Sequence, residues 1–193
     1  MLDTLINTII YIDVSIFYLI NIGMQNYIFD YTMPIITNAG LPGFWIVICI
    51  CIYIFGGEKG KNTAVLCIIA LLIGYFLTEF LKYIVVRPRP YNVLESVHLL
   101  TTMDGYSWPS GHTIAAFTGA TLIGREYGTL CLILLILLAS IVGFSRIYIG
   151  VHYPLDVVSG ALIGVLLALL VLRFENSIIS NFNALKQRIM AKN

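Results

Sequence analysis

Five apolar stretches dominate this chain: about Leu41–Phe55, Asn62–Val86, Gly111–Gly124, Gly128–Phe144 and Pro154–Leu172. Each approaches the roughly 20 residues that a helix needs to cross a bilayer. The 193 residues are 59% hydrophobic and only 11% charged, where a soluble domain carries about 25% charge. The expected fold is therefore an all-α integral membrane protein, a compact bundle of five transmembrane helices. The first stretch borrows Ile35 to Gly40 to reach spanning length. Gly111–Gly124 is short, so its polar N-terminal end is expected to sit recessed within protein at membrane depth.

Residues 1–40 are apolar but punctuated by Asp3, Asn7, Asp13, Asn21 and Asn26. They lack the basic start and small-residue cleavage site of a secretory signal peptide. The segment reads as interfacial helices lying on the membrane, with a sixth spanning helix as the alternative. Residues 41–175 then form the transmembrane domain, and 176–193 a polar cytoplasmic tail. No repeat, low-complexity tract or soluble linker interrupts this plan. Cys49, Cys51, Cys67 and Cys131 all fall within expected spans, without a metal-ligand spacing, and read as apolar filler.

The net charge of +1 says nothing about nucleic acid, but the placement of the charges is informative. Lys59, Lys61, Arg125, Arg173, Lys186, Arg188 and Lys192 fall on one side of a five-span chain, and Lys82, Arg87, Arg89 and Arg146 on the other. The positive-inside rule makes the first group cytoplasmic. The second group and the acidic N-terminal segment, Met1 included, then face outward.

That second group falls in two of three clusters of charged and small residues, Lys82–Pro90 (KYIVVRPRP) and Ser145–Asp156 (SRIYIGVHYPLD), with Pro109–His112 (PSGH) standing between them. Ionisable groups near a bilayer are costly enough to mark function. Phosphate esters spread their charge over several oxygens and so call for fixed cations and inward-pointing amides. Lys82, Arg89 and Arg146 are such cations. A helix carrying Lys82 must end near Val86, because Pro88 and Pro90 cannot continue it. Pro-Ser-Gly-His stands before an apolar helix, where Ser110 can cap, Gly111 lets a ligand approach the backbone, and the open amides attract anions. His152 precedes Asp156 by four residues, and Pro154 suits the first helical position, so Asp156 can reach back to the imidazole. An Asp that accepts a hydrogen bond from one ring N–H fixes the tautomer and leaves the other nitrogen free to attack phosphorus. A second histidine, His112, can then protonate the leaving alkoxide. Each cluster alone also admits a plainer reading, as snorkelling cations, a Ser-capped helix, or an Asp placed for the helix dipole.

Together the clusters resemble the membrane branch of the type 2 phosphatidic acid phosphatases, whose soluble relatives include the vanadium haloperoxidases. The family pattern is Lys, six residues, Arg-Pro; Pro-Ser-Gly-His; then Ser-Arg, five residues, His, three residues, Asp. Here it reads Lys82 with Arg89-Pro90, Pro109 to His112, and Ser145-Arg146 with His152 and Asp156, every spacing intact. The resemblance implies His152 as nucleophile, Asp156 as its orienting partner and His112 as general acid. It assigns Lys82, Arg89, Arg146, Ser110 and the amide of Gly111 to phosphate binding, with no metal and no cofactor. The implied partners are a lipid phosphate substrate and membrane lipids, with no nucleic acid.

The expected activity is hydrolysis of a lipid phosphate or diphosphate outside the plasma membrane. Polyprenyl diphosphate leads as substrate, ahead of phosphatidylglycerol phosphate and phosphatidate. A lipid phosphotransferase with the same site is the competing enzyme reading, and a non-catalytic anionic-lipid binder or transporter the reading from another class. Glu79 is expected to pair with Lys82. Arg87, Tyr91, Trp108 and Tyr148 border the site without an assigned role.

Overall fold

Proline and glycine set most of the helix ends. Pro42, Pro90 and Pro154 each stand at the start of a helix, where the missing N–H has no helical partner to lose and φ is already set. The computed structural model describes residues 2–191. In chain order they form α1 (Leu2–Asn21), α2 (Tyr27–Ile36), a 3-10 turn (Thr37–Gly40), α3 (Pro42–Phe55), α4 (Gly57–Val85), α5 (Pro90–Val93), α6 (Gly111–Tyr127), α7 (Thr129–Tyr148), α8 (Pro154–Arg173) and α9 (Glu175–Met190). There is no strand among the described residues.

The five apolar stretches thus appear as α3, α4, α6, α7 and α8. By length and composition α1, α4, α7 and α8 can each cross a membrane, and the α2–α3 pair, bent by 59°, makes a fifth span if counted as one. The borrowed residues before Leu41 are therefore helical but kinked away from α3. With 17 residues, α6 is about 25 Å long, short of the roughly 30 Å hydrocarbon core. It is shielded by its neighbours: Thr113–Ala116 and Thr118–Gly124 are buried among α4, α7 and α8. Outward-facing Phe55, Phe76, Leu130, Leu162 and Leu166 are all exposed, the surface that a lipid solvent calls for.

α6 and α8 approach closely because α8 presents glycine twice at one-turn spacing. A Cβ at Gly160 would lie 2.9 Å from the Ser110 carbonyl oxygen, and one at Gly164 2.7 Å from that of Ile114. Small residues at such spacing let backbones meet, and Thr118 Oγ1 donates to the Gly164 carbonyl across the seam at 3.2 Å.

α1 lies across one end of the bundle. Asp13, Phe17 and Asn21, one per turn on a single face, are its buried residues. They meet Arg87 beyond α4, the Tyr153 ring before α8, and the Tyr148 carbonyl at the end of α7. At the opposite end, Lys59 at the start of α4 pairs with Glu126 at the end of α6, 3.3 Å apart. The stretch expected as a polar tail is helical as α9, whose Ile178 and Ile179 lean on the core. The expectations for Met1 and Lys192 lie outside the described residues.

Candidate active site

The last turn of α4 carries Lys82, and α4 stops there for a local reason. Val86 adopts a left-handed conformation (φ 53°) and bonds back to the Lys82 carbonyl at 3.0 Å. That conformation is strained for a β-branched side chain; it turns the chain into the RPRP stretch at the position the prolines required. Lys82 Nζ lies 3.0 Å from Glu79 Oε1, as expected. Both residues line a cavity of about 190 Å³ with Gly111 and His112, and the cavity continues between α4 and α6 past Thr78 and Gly74 to Leu71.

Arg89 is buried and held by three carbonyls: Nε donates to Gly105 at 3.0 Å, Nη2 to Asp104 at 2.9 Å and Nη1 to Val151 at 3.1 Å. Nη1 also faces Nε2 of His152 at 3.4 Å. Arg146, in the last turn of α7, is buried as well. Its Nη1 donates to Thr37 Oγ1 at 2.6 Å and its Nη2 meets the Met103 sulfur, while its Nε–H has no partner among the described residues. A buried donor left unpaired is costly, and a phosphate oxygen is an acceptor that would satisfy it. Met103, which Arg146 touches, lines the same cavity as Lys82, Gly111 and His112, and Arg89 faces His152, so the three sequence clusters converge.

Ser110 occupies the N-cap of α6, yet its side chain makes no capping bond. Instead its Oγ accepts the Thr113 hydroxyl at 2.9 Å. A hydroxyl that accepts in this way keeps its own proton to donate, and the first-turn amides of Gly111 and His112 have no helical acceptor. The arrangement suits an anion better than the capping role read from the sequence.

His152 lies in the turn between α7 and α8, 2% exposed. Its Nδ1 is 3.4 Å from Asp156 Oδ2, and the same oxygen accepts the Tyr153 amide at 2.9 Å, the helix-start geometry expected of Asp at this place. A guanidinium only donates, so the nitrogen facing Arg89 is the one with the free lone pair, and the ring proton sits on Nδ1 toward Asp156. Burial pushes the His152 imidazole down to about 4, against the opposing pull of its Asp156 bond. It is neutral at pH 7.

Sequence reasoning left Arg87 unassigned and missed Asp13. Arg87 donates through Nη1 to Asp156 Oδ1 at 2.7 Å and through Nη2 to Asp13 Oδ2 at 2.5 Å, its guanidinium 3.9 Å above the Tyr153 ring. The available signal was a carboxylate in the middle of an apolar helix, which has to find a partner. Tyr91 and Tyr148 serve the framework: Tyr91 donates to the Met103 carbonyl at 2.5 Å and Tyr148 to Asp30 at 2.6 Å.

An all-helical membrane bundle with a buried His–Asp pair and two buried guanidinium groups at one end defines a membrane enzyme acting on phosphate esters. The chain belongs to the PAP2 superfamily, whose family model matches residues 63–179. It is 31% identical to an undecaprenyl-diphosphatase of Sulfolobus acidocaldarius over 86% of this chain and 79% of that protein. Its structure is similar to the crystal structure of Aquifex aeolicus LpxE, with a TM-score of 0.77 and 34% identity, covering 84% of this chain and 95% of that one. It is also similar to a transmembrane PAP2-type phosphatidylglycerolphosphate phosphatase of Bacillus subtilis, with a TM-score of 0.76 and 25% identity, covering 89% and 88%.

Proposed function

We propose that this enzyme hydrolyses a polyprenyl diphosphate on the outer face of the plasma membrane through a phosphohistidine at His152. Nε2 of His152 attacks the terminal phosphorus, the bond to the bridging oxygen breaks, and His112 protonates the departing polyprenyl phosphate. His112 then takes a proton from water, which attacks the phosphohistidine and releases inorganic phosphate. Asp156 holds the Nδ1 proton and balances the imidazolium charge. Lys82, Arg89 and Arg146 hold the phosphoryl oxygens with the Ser110 hydroxyl and the Gly111 amide, and their fixed charges favour the transition state.

The observation that carries this reading is the double engagement of the His152 ring, Nδ1 on Asp156 and Nε2 beside Arg89, each at 3.4 Å. The choice of a polyprenyl tail rests on the undecaprenyl-diphosphatase relative and on the apolar continuation of the cavity along α4 and α6. The outward orientation rests on the basic residues gathered at the end of the bundle away from the site. α1, whose buried contacts all fall at the site end, lies in the outer interface.

The test is release of inorganic phosphate by purified protein in excess EDTA from undecaprenyl diphosphate, phosphatidylglycerol phosphate and phosphatidate. Fastest release from the diphosphate is expected, with strong inhibition by vanadate. Activity that vanished on chelation and returned with Mg²⁺, or a phosphoryl group delivered only to an acceptor other than water, would refute the reading.

A further inference from the structure

The carboxylate of Asp13 is 2% exposed on a helix whose other faces are mostly apolar and exposed. It serves two partners at once. Oδ2 takes Nη2 of Arg87 at 2.5 Å, and Oδ1 takes the amide of Leu155 at 2.8 Å. Leu155 is in the first turn of α8, so Asp13 caps from another helix the element that carries Asp156. Arg87 spends its other arm, Nη1, on Asp156 Oδ1 at 2.7 Å, which leaves Oδ2 for His152.

A guanidinium beside one carboxylate favours a two-pronged grip on both its oxygens. Here that grip would draw Oδ2 of Asp156 away from Nδ1 of His152 and release the tautomer. Asp13 occupies the second prong. We propose that Asp13 is a positioning residue for the phosphatase site: by holding Nη2 of Arg87 it keeps the fork from closing on Asp156 and so keeps Asp156 on His152. The proposal rests on His152 being the nucleophile. It makes α1, outside the matched family region, a working part of the site.

The experiment uses the full-length protein in detergent micelles, with undecaprenyl diphosphate as substrate and the rate of phosphoenzyme formation as a second readout. Wild-type turnover through a phosphoenzyme comes first; its absence sinks the functional reading, separately from this one. Asp13→Asn is nearly isosteric and retains an acceptor oxygen. It should lower kcat on the order of 10–100-fold, by analogy with the loss of a partner behind a metal-binding side chain, with KM little changed and phosphoenzyme formation slowed in step. Adding Arg87→Gln should recover part of that loss, because the unopposed fork is what does the damage. Asp3→Asn, on an exposed part of the same helix, should leave kcat as it was. Unchanged kcat in Asp13→Asn, a double variant worse than the single one, or an Asp13→Asn protein that cannot be recovered folded would each overturn the assignment.

Discussion

The backbone amide of Ser110 donates to the carbonyl of Asp156 at 3.0 Å. One peptide hydrogen bond thus ties the motif that carries His112 to the helix that carries Asp156, the neighbour of His152, although forty residues separate the two histidines.

Their chemical roles should separate cleanly. His152→Ala is expected to abolish the phosphoenzyme, whereas His112→Ala should slow turnover ~10²–10⁴-fold, the usual cost of a lost general acid. A nitrophenyl phosphate, whose leaving group needs no proton, should partly rescue the His112 variant and not the His152 variant. Equal rescue of both would sink the assignment.

Protonation of His152 should occur far below the ordinary imidazole range. Burial is the main cause, the Asp156 bond opposes it, and the nearby Arg146 charge adds to it, giving about 4. The ring is therefore neutral above that pH and becomes charged only as the pH falls through it. Titration of the ring by NMR in micelles, assigned with His152→Ala, checks this; a midpoint near the free value of about 6.5 would contradict it.

Orientation can be read on intact cells. Single cysteines at Asn92 and Asn183, in a background lacking the four native ones, are probed with an impermeant maleimide. Labelling is expected at Asn92, after the RPRP stretch, and not at Asn183 in α9. The reverse pattern would place the site on the cytoplasmic side.

The α6–α8 seam should tolerate no added methyl. In Gly164→Ala the new Cβ would sit 2.7 Å from the Ile114 carbonyl oxygen, which is backbone and cannot move aside. Overpacking of this kind costs about 1–3 kcal/mol, so the melting temperature in detergent should fall and kcat with it. A variant as stable and active as the wild type would show that the helices have room to part.

What the sequence made legible was local. Lys82 to Arg89, Pro109 to His112 and His152 to Asp156 are contiguous runs in which proline positions and helical spacing dictate where each side chain can reach. The end of α4 at Val85 follows from Pro88, and the start of α8 from Pro154. Asp13 was not legible, because its partners Arg87 and Leu155 stand 74 and 142 residues away and nothing in residues 1–40 encodes that meeting. The Ser110 bond escaped for the opposite reason. Thr113 is only three residues on, but a hydroxyl can choose between a helix amide and another hydroxyl, and residue type alone does not decide. α9 was read by its polarity, whereas Ile178 and Ile179 gain their meaning only when the core is there to receive them.

The glycine seam between α6 and α8 also has a bearing on how substrate choice can change. On the proposed reading these helices carry His112 and Asp156, and their backbones meet at Gly160 and Gly164, so neither can shift to admit a thicker or branched tail without changing the spacing of those two residues. The α4 wall faces the cavity with Leu71, Gly74, Tyr75 and Thr78, and none of these supplies an attacking or proton-donating group. On the proposed reading, the lipid accepted can therefore diverge at these positions of α4, one side chain at a time, while Lys82 at its end and the groups on α6 and α8 stay in place.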